Sequence, residues 1–188
     1  MLWIGHREFQ VDQDRSELHA FLTEPEELLW AVSIACLPAE YDGLEGSWKP
    51  RLYLDTMQLP VRDWRQLQGQ AFDFSDRDED DSFQAGIFEA VHSQVFRNSI
   101  RLDTRTADRF RVEWTCLSEV GCFDVGTASP IRAEAEVRFV GVEVHRRDAS
   151  AETVPAVMET LARYLDLSSL GEPEVFPRSH FWFRPKAV

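Results

Sequence analysis

Carboxylates are the side chains best placed to do chemistry in this 188-residue chain, and the run Asp76 to Asp81 holds their densest group. Asp76, Asp78 and Asp80 alternate as the first calcium ligands of an EF-hand loop do. The match then fails, because the sixth position is Asp81 rather than Gly and the twelfth is Ile87 rather than Glu. Three interpretations of this run are open: an adventitious calcium site, a solvated loop, or an acidic patch that docks a basic partner.

A second pair of carboxylates, Glu134 and Glu136, lies on one face of an alternating segment. General acid–base chemistry needs two carboxylates in different environments. Arg132 and Arg138 flank this pair, so the pattern indicates an exposed charge ladder along a strand rather than a catalytic pair.

Local motifs for metal binding, nucleophilic catalysis or nucleotide binding do not occur in the sequence. The five histidines are too widely spaced to form HxH, HxxxH or HExxH, which leaves open only a cluster assembled from distant residues. They are His6, His19, His92, His145 and His180. The chain also has no GxSxG, no CxxC and no phosphate-binding glycine loop. The sequence therefore predicts no catalytic residue, no metal site and no cofactor.

The net charge of −13 restricts the partners of the protein. Phosphate backbones and anionic membranes attract Lys and Arg, so we expect neither nucleic acid nor membrane as a partner. An acidic field would steer a basic protein into encounter, although acidity also serves solubility alone. The 13 Phe and 6 Trp supply core packing and, at some positions, a binding surface.

Cysteine usage and the start of the chain predict a cytoplasmic protein. Cys36 lies in an apolar run and Cys116 follows the apolar face of a strand, so both are expected to be small buried hydrophobes with free thiols. The first residues do not form a signal peptide. No apolar run approaches the roughly 18 residues that would span a bilayer.

The elements that position these residues are mainly strands. Residues 109–116 alternate strictly between polar and apolar, as residues 96–102 do, and the polar residues 103–108 join them as a hairpin. A longer strand over residues 131–139 changes parity near Gly141, where we expect a β-bulge.

The remaining segments complete the predicted fold. Further strands are expected over residues 2–11, 28–37, 52–57, around 72–74 and over 181–183. Helical segments are expected over 15–23, 61–67 and 153–166, the last with Thr153 as its N-cap. The chain is thus expected to be one domain, 1–188, of the α+β class: largely antiparallel sheet, one amphipathic helix near the C-terminus and a possible short N-terminal helix.

Three segments together resemble a known class of protein: Phe83 to Ile100, Arg109 to Trp114, and Glu136 to Val142 with the Tyr164 helix end. They look like the β-core of small acidic bacterial proteins encoded beside polymorphic or secreted toxins. Such immunity proteins bind one cognate toxin tightly and occlude its active site without chemistry of their own. The resemblance is one of strands and composition, and it transfers no functional residue.

The first hypothesis is therefore an immunity-type protein that neutralises a toxin by occlusion, with a basic toxin domain as partner. Its partner-binding residues are expected to be Asp76, Asp78, Glu79, Asp80 and Asp81. A second hypothesis is a small β-rich enzyme or ligand-binding protein whose site is assembled from distant residues. A third is a structural or assembly subunit that pairs through an exposed strand or the C-terminal aromatic residues.

Overall fold

A computed structural model of the chain describes residues 1–23, 27–40, 46–74, 84–89, 92–118, 128–145, 153–176 and 180–186. The strands within these ranges are β1 Leu2–Ile4, β2 Arg7–Phe9, β3 Glu17–Leu22, β4 Leu28–Ala35, β5 Ala39–Glu40, β6 Ser47–Trp48, β7 Arg51–Met57, β8 Gln70–Phe74, β9 Gln84–Phe88, β10 His92–Thr106, β11 Arg109–Ser118, β12 Ser129–His145, β13 Glu174–Phe176 and β14 His180–Phe183. The helix α1 spans Val154–Leu161, and 3-10 turns span Trp64–Leu67 and Leu167–Ser169.

Seven of these strands close into a barrel. They follow the order β11–β10–β9–β7–β4–β3–β12, and β12 then pairs with β11 to complete the ring. The β3–β12 pair is parallel, whereas the other neighbours in the ring are antiparallel. Strands β1 and β14 add to β12, β8 adds to β10, and β5 pairs with β6 in a separate ladder.

The expectation of an α+β fold is wrong, because the protein is mostly β and forms a closed barrel with one helix. Helix α1 has only eight residues, and turns and irregular backbone replace its expected continuation over residues 162–166. Its N-cap is confirmed, since the Thr153 hydroxyl accepts a hydrogen bond from the backbone N–H of Ala156. No helix in the described ranges has the length and hydropathy needed to cross a bilayer.

The predicted helix over residues 15–23 is also wrong, because Glu17–Leu22 forms strand β3. The side chains of Leu18, Ala20 and Leu22 are fully buried, while the residues between them are partly exposed. This alternation has the period of a strand. The segment is too short for its periodicity to distinguish a helix from a strand, and pairing with β4 on one side and β12 on the other makes it a strand.

The central predictions are confirmed by the register of the strands. Strands β10 and β11 form the expected hairpin, and Arg109–Ser118 alternates between buried and more exposed residues. The register of β12 against β3 shifts between Phe139 and Gly141, where the change of parity predicted a bulge. Gly141 has a φ of 131°, which favours glycine.

Large aromatic side chains fill the described interior of the barrel. Trp30, Phe110, Trp114 and Phe139 are all essentially inaccessible to solvent. Trp64, in the 3-10 turn after β7, stacks on Phe139 with ring centroids 4.9 Å apart. The interior thus acts as a packed core that holds the strands in place.

The bulge at Gly141 gives a test of the fold. A Cβ at this position would overlap the carbonyl oxygen of Phe183 and lie 2.9 Å from Nε1 of Trp182. We expect Gly141→Ala to lower the free energy of unfolding by about 1–3 kcal/mol, measured by urea denaturation.

The control is Gly171→Ala, where the nearest neighbour of the added Cβ is the Arg184 carbonyl oxygen at an ordinary 3.6 Å. This variant should stay within about 0.5 kcal/mol of the wild type. Equal stability of the two variants would show that β12 does not need a glycine at its bulge.

Candidate functional site

The five predicted partner-binding residues lie outside the described residues. Asp76, Asp78, Glu79, Asp80 and Asp81 all belong to the segment 75–83, between strands β8 and β9. Its flanking residues are described: Phe74 pairs with Asn98 on β10, and Gln84 pairs with Asp55 on β7. The first described residue after the acidic run, Gln84, therefore lies beside Asp55.

The outer surface around Asp55 brings together polar and aromatic residues from four strands. On β7, Leu52 and Leu54 are fully buried, so Arg51, Tyr53 and Asp55 point outward. Strands β3, β9 and β10 add their own outward residues. We call this set the β7 face: Glu17, His19, Arg51, Tyr53, Asp55, Phe88 and His92.

Tyr53 and His92 are held together although 39 positions separate them in sequence. The Tyr53 hydroxyl and Nδ1 of His92 share a hydrogen bond of 3.1 Å, and their rings meet edge to face with centroids 5.9 Å apart. The ring of Phe88 lies 4.8 Å from that of His92, centroid to centroid. Glycine at position 86 makes room for this arrangement, because a Cβ there would lie 2.6 Å from Cζ of Tyr53.

Asp55 is a half-buried carboxylate that makes no hydrogen bond or ion pair within the described part of the chain. Burial raises the pKa of Asp55, and the nearby His19, when protonated, and the Arg51 guanidinium only partly oppose this shift. The Arg51 guanidinium is engaged elsewhere: its Nε donates to the Ser33 hydroxyl at 2.5 Å, and its Nη2 lies 3.7 Å from Glu17.

His19 is more deeply placed than the other histidine of the face. Its ring contacts that of Phe21, with centroids 5.9 Å apart, and Nδ1 is buried with no hydrogen-bond partner among the described residues. Burial lowers the pKa of His19, while the charges of Glu17, Asp55 and Glu143 partly offset this effect. His19 is therefore held towards its neutral form.

These residues border a cavity of about 380 Å³ on the outside of the barrel. Its lining consists of Arg51, Tyr53, Asp55, Phe88 and His92. The combination offers a half-buried carboxylate, three ring surfaces and one hydroxyl, beside a guanidinium that is paired with Glu17. It can bind a group that carries positive charge and apolar surface together.

Two other sequence predictions can be compared with the structure. The charge ladder is confirmed at Glu134, whose carboxylate pairs with Arg132 and lies 4.0 Å from Nη2 of Arg111. Cys36 and Cys116 are buried free thiols as expected, and burial raises the pKa of Cys36 to about 12.

The histidines come together only in part. His19 and His92 both belong to the β7 face, while Nε2 of His145 lies 3.2 Å from a carboxylate oxygen of Glu143. Across the residues that the structure describes, no three His, Cys, Asp or Glu side chains group as metal ligands.

Sequence reasoning missed the β7 face, although one signal was present. Residues 51–55 alternate between polar and apolar, which places Arg51, Tyr53 and Asp55 on one side of a strand. The sequence holds no sign that His92 would lie beside them, because that depends on how β9 joins β7 to β10.

Comparisons of the chain with protein-family models, curated proteins and solved structures found no match. The function must therefore be argued from the chemistry of the site.

The low pKa of His19 gives this face a pH signature. The unfolded chain takes up a proton on His19 near the ordinary pKa of 6.5, whereas the folded protein resists it. Stability should therefore rise with pH over the window that ends near 6.5. We expect His19→Gln to make this increase in stability smaller. The measurement is the midpoint of urea denaturation at several pH values between about 5 and 7.

The control for this measurement is His6→Gln, which removes an exposed histidine outside the β7 face. It should leave the rise as steep as in the wild type. If the stability of His19→Gln rises with pH as steeply as that of the wild type, His19 is not the source of the pH dependence.

Proposed function

We propose that the protein binds a basic protein partner and neutralises it by covering its active surface, as immunity proteins do to toxins. The observation that carries the proposal is the β7 face, where Tyr53, Phe88 and His92 surround a carboxylate that has no ion-pair partner in the described part of the chain. Aromatic anchors beside unpaired charge are features of tight interfaces.

The barrel supports this use because it fixes the face before any partner arrives. Tyr53 pairs with Ser33 on β4 and with Gly86 on β9. Asp55 pairs with Gln84 on β9, beside the register shift between β7 and β4, and Leu54 between them packs into the core. Side chains that are ordered in advance lose less entropy on binding, so more of the contact energy remains as affinity.

Charge supports the same conclusion. The chain carries −13 overall, and Gln84, which follows the segment with the acidic run 76–81, pairs with Asp55 of the β7 face. A field of this sign speeds encounter with a basic domain. Toxins that act on nucleic acid are commonly basic, so an acidic inhibitor would cover the surface with which they bind their substrate.

A second candidate function is a small enzyme or ligand-binding protein with its site on the same face. The Tyr53–His92 hydrogen bond next to Asp55 favours it, since such groups can exchange protons with a bound molecule. The assembly hypothesis has less support, because Phe181 and Phe183 are 1% exposed and serve the core.

The proposal is tested by co-expression with toxin domains encoded beside the gene. Cells that produce such a toxin should survive when this protein is present, and the two purified proteins should form a stable complex. Full toxicity of every neighbouring toxin in the presence of this protein would contradict the proposal. Multiple turnover of a small substrate by the pure protein would favour the second candidate.

Charge steering can be measured separately on the neutralised toxin. Changing Asp78, Glu79, Asp80 and Asp81 to their amides removes four negative charges from the segment that joins β8 to β9. We expect the association rate, measured by stopped-flow fluorescence, to fall about 10-fold at low salt and much less at high salt.

The matched control removes four exposed carboxylates from other parts of the sequence: Asp14, Glu40, Glu159 and Glu172. Its net charge equals that of the first variant, so a purely global effect would slow both equally. An unchanged rate at low salt for the first variant would leave the acidic run as a solvated loop.

A further inference from the structure

We infer that the cavity on the β7 face receives one Lys or Arg side chain of the partner, with Asp55 as its counter-ion and with Tyr53, Phe88 and His92 as its walls. The inference rests on the proposed function, because it takes the partner to be a basic protein. It goes further by assigning the contact to one cavity and one kind of side chain.

The carboxylate is the first reason. Asp55 sits half-buried in the cavity wall, and in the described part of the chain no donor satisfies it. A buried charge without a partner is costly, and a cation that enters the cavity would remove that cost. Asp55 therefore contributes a negative charge to the cavity that no described donor neutralises through a hydrogen bond.

The rings are the second reason. His92 lies between the other two, with its ring centroid 4.8 Å from that of Phe88 and 5.9 Å from that of Tyr53. Aromatic faces attract ammonium and guanidinium groups, and the attraction grows when water is excluded. The rings also cover the methylene stem of a long cationic side chain, which a bare carboxylate cannot do.

Arg51 lines the same cavity, and its positive charge would repel a cationic ligand if no carboxylate were paired with it. Its guanidinium donates to Ser33 at 2.5 Å and lies 3.7 Å from Glu17. The positive charge of Arg51 acts on both Glu17 and Asp55, but only Glu17 lies within ion-pair distance, so the negative charge of Asp55 has no ion-pair partner among the described residues. An anionic ligand would meet that charge, although Arg51 and the Tyr53 hydroxyl could donate to it.

The size of the cavity agrees with a single side chain. Its volume of about 380 Å³ lies near the lower end of the range for ligand pockets. The cavity also requires glycine at position 86, because any larger residue would displace Tyr53 from its position over β9.

The test uses N-acetyl-lysine methylamide as the probe and N-acetyl-norleucine methylamide as its uncharged counterpart of similar shape. Titrations are followed by NMR through the backbone amides of Tyr53, Asp55 and Gly86. The lysine probe should produce saturable shifts and bind at least about five-fold more tightly than the norleucine probe. Equal binding of the two would overturn the inference, as would tighter binding of N-acetyl-glutamate methylamide.

Two variants make the test specific. Asp55→Asn keeps the shape of the side chain and removes its charge, and it should weaken the lysine probe about five-fold or more. Because burial disfavours the Asp55 charge, this variant should fold at least as well as the wild type, and a urea titration checks that. Asp73→Asn, at an exposed position on β8, should leave binding unchanged. Loss of binding in both variants, or in neither, would contradict the role of Asp55.

The two proposals fail in different ways. If a toxin is neutralised but Asp55→Asn binds the lysine probe as the wild type does, the cavity is not the cation site and the proposed function stands. If the lysine probe binds as described but no neighbouring toxin is neutralised, the cation site stands and the proposed function fails.

Discussion

Closure of the barrel depends on one long strand, β12, which pairs with β11 along one edge and with β3 along the other. The same strand also carries β1 and β14 beyond the ends of those neighbours. It can serve all four only because it bends at Gly141, where the backbone adopts a φ of 131° and the register shifts by one residue. With the ring closed, β7 and β9 are fixed as neighbours, and the site on their outer surface follows from that.

Alternation along single strands was readable from the sequence, whereas the neighbours of each strand were not. The strict pattern of residues 109–116 and the change of parity at Gly141 predicted two strands and a bulge, because each signal is local. The helix predicted around residues 17–22 was wrong, because six residues fit both a helical and a strand period. Their pairing with β4 and β12, which determines the strand, cannot be read from the segment itself. A closed barrel could not be foreseen, because closure is a property of all seven strands together.

The candidate site was hidden for the same reason. Tyr53 and His92 are unremarkable in their own segments, and only the pairing of β7 with β9 and of β9 with β10 brings them into contact. The acidic run at residues 76–81 was visible at once because its charges are contiguous. The structure adds that Gln84, the first described residue after that segment, pairs with Asp55 of the β7 face.

Two parts of the outer barrel surface differ in how their charges are paired. Along β11 and β12, Arg111 lies near both Glu113 and Glu134, and Arg132 pairs with Glu134, so two positive charges meet two carboxylates there. On the β7 face, Arg51 forms an ion pair with Glu17, while Asp55 forms none with any described residue. Paired surface charges contribute little to stability or binding, whereas a desolvated unpaired charge favours the arrival of its opposite. We therefore assign binding to the β7 face.

Hydroxyl-radical footprinting of the protein, alone and in complex with a toxin that it neutralises, tests this assignment most directly. Oxidation of Tyr53, Phe88 and His92 should fall sharply in the complex, while oxidation of Trp3, which lies beside Arg132 on the opposite charge-balanced surface, should change little. Protection of Trp3 with full oxidation of the three rings would place the partner on the other side of the barrel and contradict the account.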